Sequence, residues 1–303
     1  MVELSTQIAG IHFRNPVLLA SGTCGYGQEL EPFIDLTAIG GIVTKTITPQ
    51  PRPGNVPPRI VETASGMLNS IGLQNPGLKG FVEDMWPYLC GLDTQIIVNI
   101  AAPTIVEHGE MAAVLNDVTG VAALEVNISS PNMRDGGMLF GCRPKASAEV
   151  ISAVKAATGL PVIAKLTPNV TDIAEIARAV EGAGADAVSL INTLVGMAID
   201  VDVRRPKLAN ITGGLSGPAI KPVALAMVWK VSQAVSVPLV GIGGITTAVD
   251  AIEFMLAGAS GVQVGTATFS LPNTAADITD GIRKYCDTHR ITDINSIVGT
   301  LVT

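Results

Sequence analysis

The chain has 303 residues, 48% of them hydrophobic and only 15% charged, with 32 glycines and a formal net charge of −7. A chain this long and apolar can bury its core as one α/β barrel, a fold that often exceeds ~250 residues without dividing. The negative charge, without any run of Lys and Arg, argues against nucleic-acid binding, and no stretch reaches the roughly 18 uninterrupted apolar residues of a membrane-spanning helix.

The first residues, MVELSTQIAGIHFRNP, carry an early acid and no apolar h-region, so a cytoplasmic location is expected. Short β-branched apolar runs then follow at Val17 to Ala20, Ile42 to Lys45, Ile96 to Ile100, Leu124 to Asn127, Val162 to Lys165, Val188 to Ile191, Leu239 to Ile242 and Val262 to Gly265. Between most of them lie stretches with apolar residues at threefold and fourfold spacing: Ser147 to Ala157, Asp172 to Ala183, Ala219 to Ala234 and Ala248 to Leu256. Strands that are apolar throughout, alternating with helices, imply a parallel sheet covered on its outer face. Eight units favour closure into a (β/α)8 TIM barrel, with the longer inserted loops at the C-terminal face; a doubly wound open sheet is the alternative. With no repeat, low-complexity tract or linker, residues 1–303 read as a single domain. The cysteines, Cys24, Cys90, Cys142 and Cys286, are too widely spaced for a disulfide framework or an iron–sulfur site, so reduced thiols and no metal are expected.

The ends of the runs carry polar groups or glycine: Ser21-Gly22, Lys45-Thr46, Asn99, Asn127, Lys165, Asn192-Thr193, Gly243-Gly244 and Gly265-Thr266. Barrel enzymes build their sites on that face. Lys45 and Lys165 each need an anionic partner, because an unpaired buried ammonium is strongly disfavoured; a buried carboxylate and a bound anion or electron-rich cofactor both meet that need. Asn69, Asn99, Asn127 and Asn192 supply amides, which donate and accept in one plane and suit an imide or pyrimidine-like edge. The glycines of 241–244 and 264–267 suit a phosphate site, and no GxGxxG or P-loop pattern is present.

Four segments carry a sharper signal: NPVLLASGTCGYG from Asn15, PRPGNVPPRIVETASGMLNSIGLQNPG from Pro51, EVNISSPN from Glu125, and NTLVGMAIDVDVRRPKLANITGGLSGPAIKP from Asn192. With the glycine turns they resemble dihydroorotate dehydrogenase, specifically the catalytic subunit of the B-type class 1 enzymes, over essentially the whole chain. The resemblance implies an FMN-binding barrel that oxidises dihydroorotate to orotate in pyrimidine biosynthesis. It implies FMN contacts from Ser21, Lys45, Thr46, Asn99, Asn127, Lys165, Ile191, Gly217, Gly243, Gly244, Gly265 and Thr266. Substrate contacts are implied for Lys45, Asn69, the Met67 to Leu73 loop with Gly72, Asn127, Asn192 and Thr193. It further implies a homodimer or heterotetramer with an electron-transfer subunit carrying FAD and a 2Fe-2S cluster.

One position departs from the family pattern. Class 1 enzymes resembling this one place a cysteine base in the loop after the fourth strand, where Ser130 stands here, with Lys45 as the other implied catalytic residue. A thiol of pKa near ~8.5 ionises with modest help, whereas a serine hydroxyl needs a stronger base or a relay. Three readings are open: a natural serine base with a water relay, an engineered Cys-to-Ser change, or a substitute thiol such as Cys142. The rival functions are a dihydropyrimidine dehydrogenase-like subunit acting on uracil or thymine, a phosphosugar lyase barrel using Lys45 or Lys165 as a Schiff-base lysine, and a non-catalytic binding protein.

Overall fold

The computed structural model describes residues 2–128 and 140–303. Eight parallel strands close into a barrel in chain order: β1 (Val17–Leu19), β2 (Gly41–Val43), β3 (Gln95–Ile100), β4 (Ala123–Asn127), β5 (Val162–Leu166), β6 (Ala187–Leu190), β7 (Leu239–Ile242) and β8 (Ala259–Val264), with β8 pairing back onto β1. Each expected run lies on one of these strands, displaced by no more than a few residues. The four expected helices appear as Pro144–Ala157, Ile173–Gly182, Lys221–Ser232 and Ala248–Leu256. Helices at Ile105–Asn116 and Thr274–His289 complete much of the outer ring. Ile105–Asn116 starts where the Thr104 side chain accepts from the Glu107 amide, and Ala248–Leu256 starts in a capping box between Thr247 and Asp250.

Inside the barrel the inward side chains change character along the axis. The lower layer is apolar: Leu18, Val43, Ile97, Ala123, Ile163, Ala187 and Val240 form one buried cluster. An antiparallel hairpin, Thr6–Ile8 with Ile11–Phe13, closes the barrel floor and adds Ile8 and Phe13, neither more than 1% exposed. Burying a side chain such as Phe13 stabilises the fold by about 1.5–3 kcal/mol. Two residues further along β3, β4, β5, β6 and β8 the inward positions become Asn99, Glu125, Lys165, Ser189 and Gln263, all buried.

The C-terminal face carries a feature that periodicity did not disclose. Ile60–Thr63 and Gly66–Asn69, inserted after β2, pair with Thr212–Ser216 and Leu194–Met197, inserted after β6, in one antiparallel sheet. The inserted loops expected at this face thus form a joint roof. None of the helices among the described residues is long and apolar enough to cross a membrane.

Candidate active site

One cavity of about 360 Å³ lies between the strand ends and the antiparallel roof. From the barrel rim it is lined by Ser21, Lys45, Thr46, Asn127, Lys165, Ile191, Asn192, Thr193, Gly243, Gly244, Gly265 and Thr266. The roof adds Met67, Asn69, Gly72, Leu73 and Gly217 to the same wall. Two expected site residues are not among them. Asn99 is fully buried in the layer between the apolar floor and the cavity, because β3 continues past it to Ile100 and its side chain points into the barrel. Ser130 lies outside the described residues.

The two lysines differ in kind. Lys165 Nζ is 3.2 Å from Glu125 Oε1, so a buried carboxylate is its partner even though it also faces the cavity. Glu125 is the residue the sequence reading passed over. An acid two positions before Asn127, inside an apolar strand, shares Asn127's face and was a readable signal. Burial alone would push its carboxyl up, but the Lys165 charge and donors from Gln263, Ser189 and Asn99 hold it below the usual carboxylate range. Lys45, in contrast, has no ion pair among the described residues, and burial lowers its pKa. Among the described residues, its ammonium faces the cavity from the barrel rim without a carboxylate in ion-pair contact.

Polar contacts fix the loops that shape the wall. Asn75 Nδ2 donates to Leu73 O at 2.6 Å and Thr48 Oγ1 at 2.8 Å, while its Oδ1 accepts from the Gly77 and Thr48 amides. It holds Leu73 in the left-handed region, φ 55°, which a branched residue adopts only when its surroundings impose it. Asn169 does the same for the opposite wall, donating to Thr193 O and accepting from the Val195 amide. Thr266 Oγ1 donates to Ser216 Oγ at 2.8 Å, joining roof to rim. Arg59, which also lines the cavity, donates to Gln74 Oε1 at 2.6 Å.

At the cavity's glycine-rich end the backbone is bare for two different reasons. Gly217 (φ 94°) and Gly244 (φ 71°) pack together, and a Cβ on Gly244 would stand 2.8 Å from Gly217 O, so the fold itself requires glycine. Gly265 has no such demand: a Cβ there would meet Ala20 at 3.5 Å, an ordinary contact. Its lack of a side chain leaves room in the cavity instead. The two glycine turns are clamped from behind by Lys221, whose Nζ donates to Asp250 Oδ1 at 2.6 Å and Glu253 Oε2 at 2.7 Å. Asp250 Oδ2 accepts from the Thr246 and Thr247 amides. Burial opposes ionisation of Asp250, but Lys221 and these donors prevail and bring its pKa down to about 2.

Cys142 does not replace the missing thiol. It is absent from the cavity wall, its Sγ faces Asn169 O at 3.9 Å, and burial pushes its pKa up, the opposite of what an activated thiolate needs.

The family model for dihydroorotate dehydrogenase matches residues 3–286. The chain is 55% identical over 301 residues to the catalytic subunit of dihydroorotate dehydrogenase B (NAD(+)) of Geotalea uraniireducens, covering 99% of each chain. It is 56% identical over 298 residues to the protein of the same description from Desulforamulus reducens, covering 98% of each. A crystal structure of DHODH from Eimeria tenella in complex with ferulenol is similar in fold, with a TM-score of 0.80 over 98% of this chain and 88% of that one at 24% identity.

Proposed function

The chain belongs to the dihydroorotate dehydrogenase family, and we propose that it is the catalytic subunit of a B-type enzyme that oxidises dihydroorotate to orotate with FMN as the first electron acceptor. One observation carries the reading: Lys45, Asn127, Lys165 and Gly265, at or just past the ends of four different strands, line one cavity together with Asn69 and Asn192. Family membership removes the phosphosugar lyase alternative, in which either lysine would form a Schiff base.

The residues fit a flavin mononucleotide. Gly265 leaves space that the fold does not need, the Gly217 and Gly243-Gly244 turns bring bare backbone to the same end, and such turns accept phosphate. Bound FMN supplies a two-electron acceptor for the hydride leaving C6 of the substrate.

The chain's own groups supply the rest. Ser130, by its place in the base loop, takes the C5 proton while its own hydroxyl proton passes to solvent through a water relay, and the C6 hydrogen leaves with two electrons as hydride. Lys45 offers a positive charge that is itself partly buried, where electrostatic stabilisation exceeds its value in open water. Asn69, Asn127, Asn192 and Thr193 hold the flat ring, and the Asn75-braced turn at Gly72-Leu73 closes its edge. The names of the relatives suggest a partner subunit and NAD as the onward acceptor, and the family resemblance implies that this subunit would carry FAD and a 2Fe-2S cluster.

Anaerobic mixing of the oxidised protein with dihydroorotate, followed by flavin bleaching, tests the reading. Ser130→Cys should bleach faster than the parent at neutral pH, and Ser130→Ala should lose about 10²–10⁴-fold, the usual contribution of a general base. Equal rates in all three would remove Ser130 from the chemistry. Bleaching by dihydrouracil but not dihydroorotate would assign the chain to uracil or thymine instead, and a purified protein without flavin absorbance would overturn the whole reading.

A further inference from the structure

Glu125 is a fully buried acid that the reaction does not consume. Its two oxygens accept from four side chains: Asn99 Nδ2 at 2.6 Å and Lys165 Nζ at 3.2 Å on one, Ser189 Oγ and Gln263 Nε2 at 2.8 Å each on the other. These donors come from β3, β5, β6 and β8, so with its own β4 this one carboxylate ties together five of the eight barrel strands. Four donors, one of them the Lys165 ammonium, suit its ionised form. Lys165 is the member of this cluster that also reaches the cavity.

We infer that Glu125 is a positioning residue for electron transfer: it fixes Lys165 Nζ at the cavity floor and cancels its charge, so that Lys165 acts there as an oriented donor while Lys45 and Arg59 supply the positive charge facing the cavity. The inference rests on the proposed flavin reading, and it goes further by assigning the redox level of the bound cofactor to a residue that never touches the cavity. A negative charge under the floor disfavours adding electrons above it, and a low-dielectric interior makes that influence strong. Removing Lys165 acts in the opposite direction, because a donor and its positive charge are lost together.

The measurement is the two-electron reduction potential of the flavin bound to the purified parent, Glu125→Gln, Lys165→Met and the double variant, with thermal unfolding recorded for each. Glu125→Gln should raise the potential by about a tenfold change in the equilibrium, or roughly 30 mV for two electrons. Lys165→Met should lower it by a similar factor, and the double variant should return towards the parent. If Glu125→Gln fails to fold because it strands Lys165, the double variant carries the test, since it buries no uncompensated charge. A double variant closer to the parent's potential than Lys165→Met supports the inference. Potentials in Glu125→Gln or the double variant that show no compensation of Lys165, whatever the melting temperature does, would reduce Glu125 to a structural brace. A colourless parent would overturn the flavin reading and this inference with it, whereas a yellow parent whose variants show no opposing shifts overturns this inference alone.

Discussion

The two ends of the barrel interior are built from the same strands, yet they obey different rules. At the floor, Ala123, Ile163, Ala187 and Ile97 meet Phe13 and Ile8 in a dry, closed layer. One inward step along the same strands, Glu125, Lys165, Ser189 and Asn99 form a hydrogen-bonded cluster, and the step after that opens onto the cavity. A two-residue displacement therefore separates residues that hold the fold from residues that serve the chemistry, which is why neighbouring positions on one strand tolerate change so differently.

The sharpest way to break that contrast is at the floor. Phe13→Ala removes the hairpin's main plug and should destabilise the protein by about 3–5 kcal/mol, while the folded fraction keeps its flavin; unfolding in urea with flavin fluorescence as a second probe reads both. Loss of flavin in step with that cost, in protein that is still folded, would show that the two layers are not separable.

A smaller effect is expected from Asp250→Asn at the clamp behind the glycine turns. Because the folded pKa of Asp250 is lowered to about 2, its contribution is present above the unfolded value of ~3.9 and disappears as pH falls from there towards 2. The variant should lose about 1 kcal/mol near neutrality and show a correspondingly shallower acid transition between those limits. Identical acid transitions for parent and variant would take the clamp out of the stability account.

The least costly change for the fold is Gly265→Ala. The added methyl meets only ordinary contacts within the protein, so stability should stay within about 0.5 kcal/mol. It projects into the cavity, however, and flavin retention after gel filtration should fall. Unchanged retention would mean that this wall does not approach the ligand.

Much of this is legible in the amino-acid sequence, and the limits are physical. The eight barrel strands announce themselves because buried parallel strands are apolar on both faces. The roof strands do not: GMLN at 66–69 and TGGLS at 212–216 are short, glycine-bearing and paired across a long sequence separation, so nothing local marks them. Of the expected wall, Asn99 alone among the described residues is displaced, since its strand runs one residue further than a rim position would require. The two readings left open for the lysines divide between them: Lys165 has its carboxylate, and Lys45 faces the cavity without one. Asn75 and Asn169, which brace opposite walls, look like ordinary turn residues in sequence, because their value lies in partners brought in by the fold.

The pairing of β8 with β1 has a consequence for how the molecule is made. Val17–Leu19 leaves the ribosome long before Ala259–Val264 exists, so an incomplete barrel exposes a raw strand edge on each side for most of translation. Only when Val262 and Val264 settle beside Val17 and Leu19 do both edges vanish at once. A nascent chain of this shape must either be shielded or finish quickly, and crowding several on one messenger invites the edges of neighbours to find each other first.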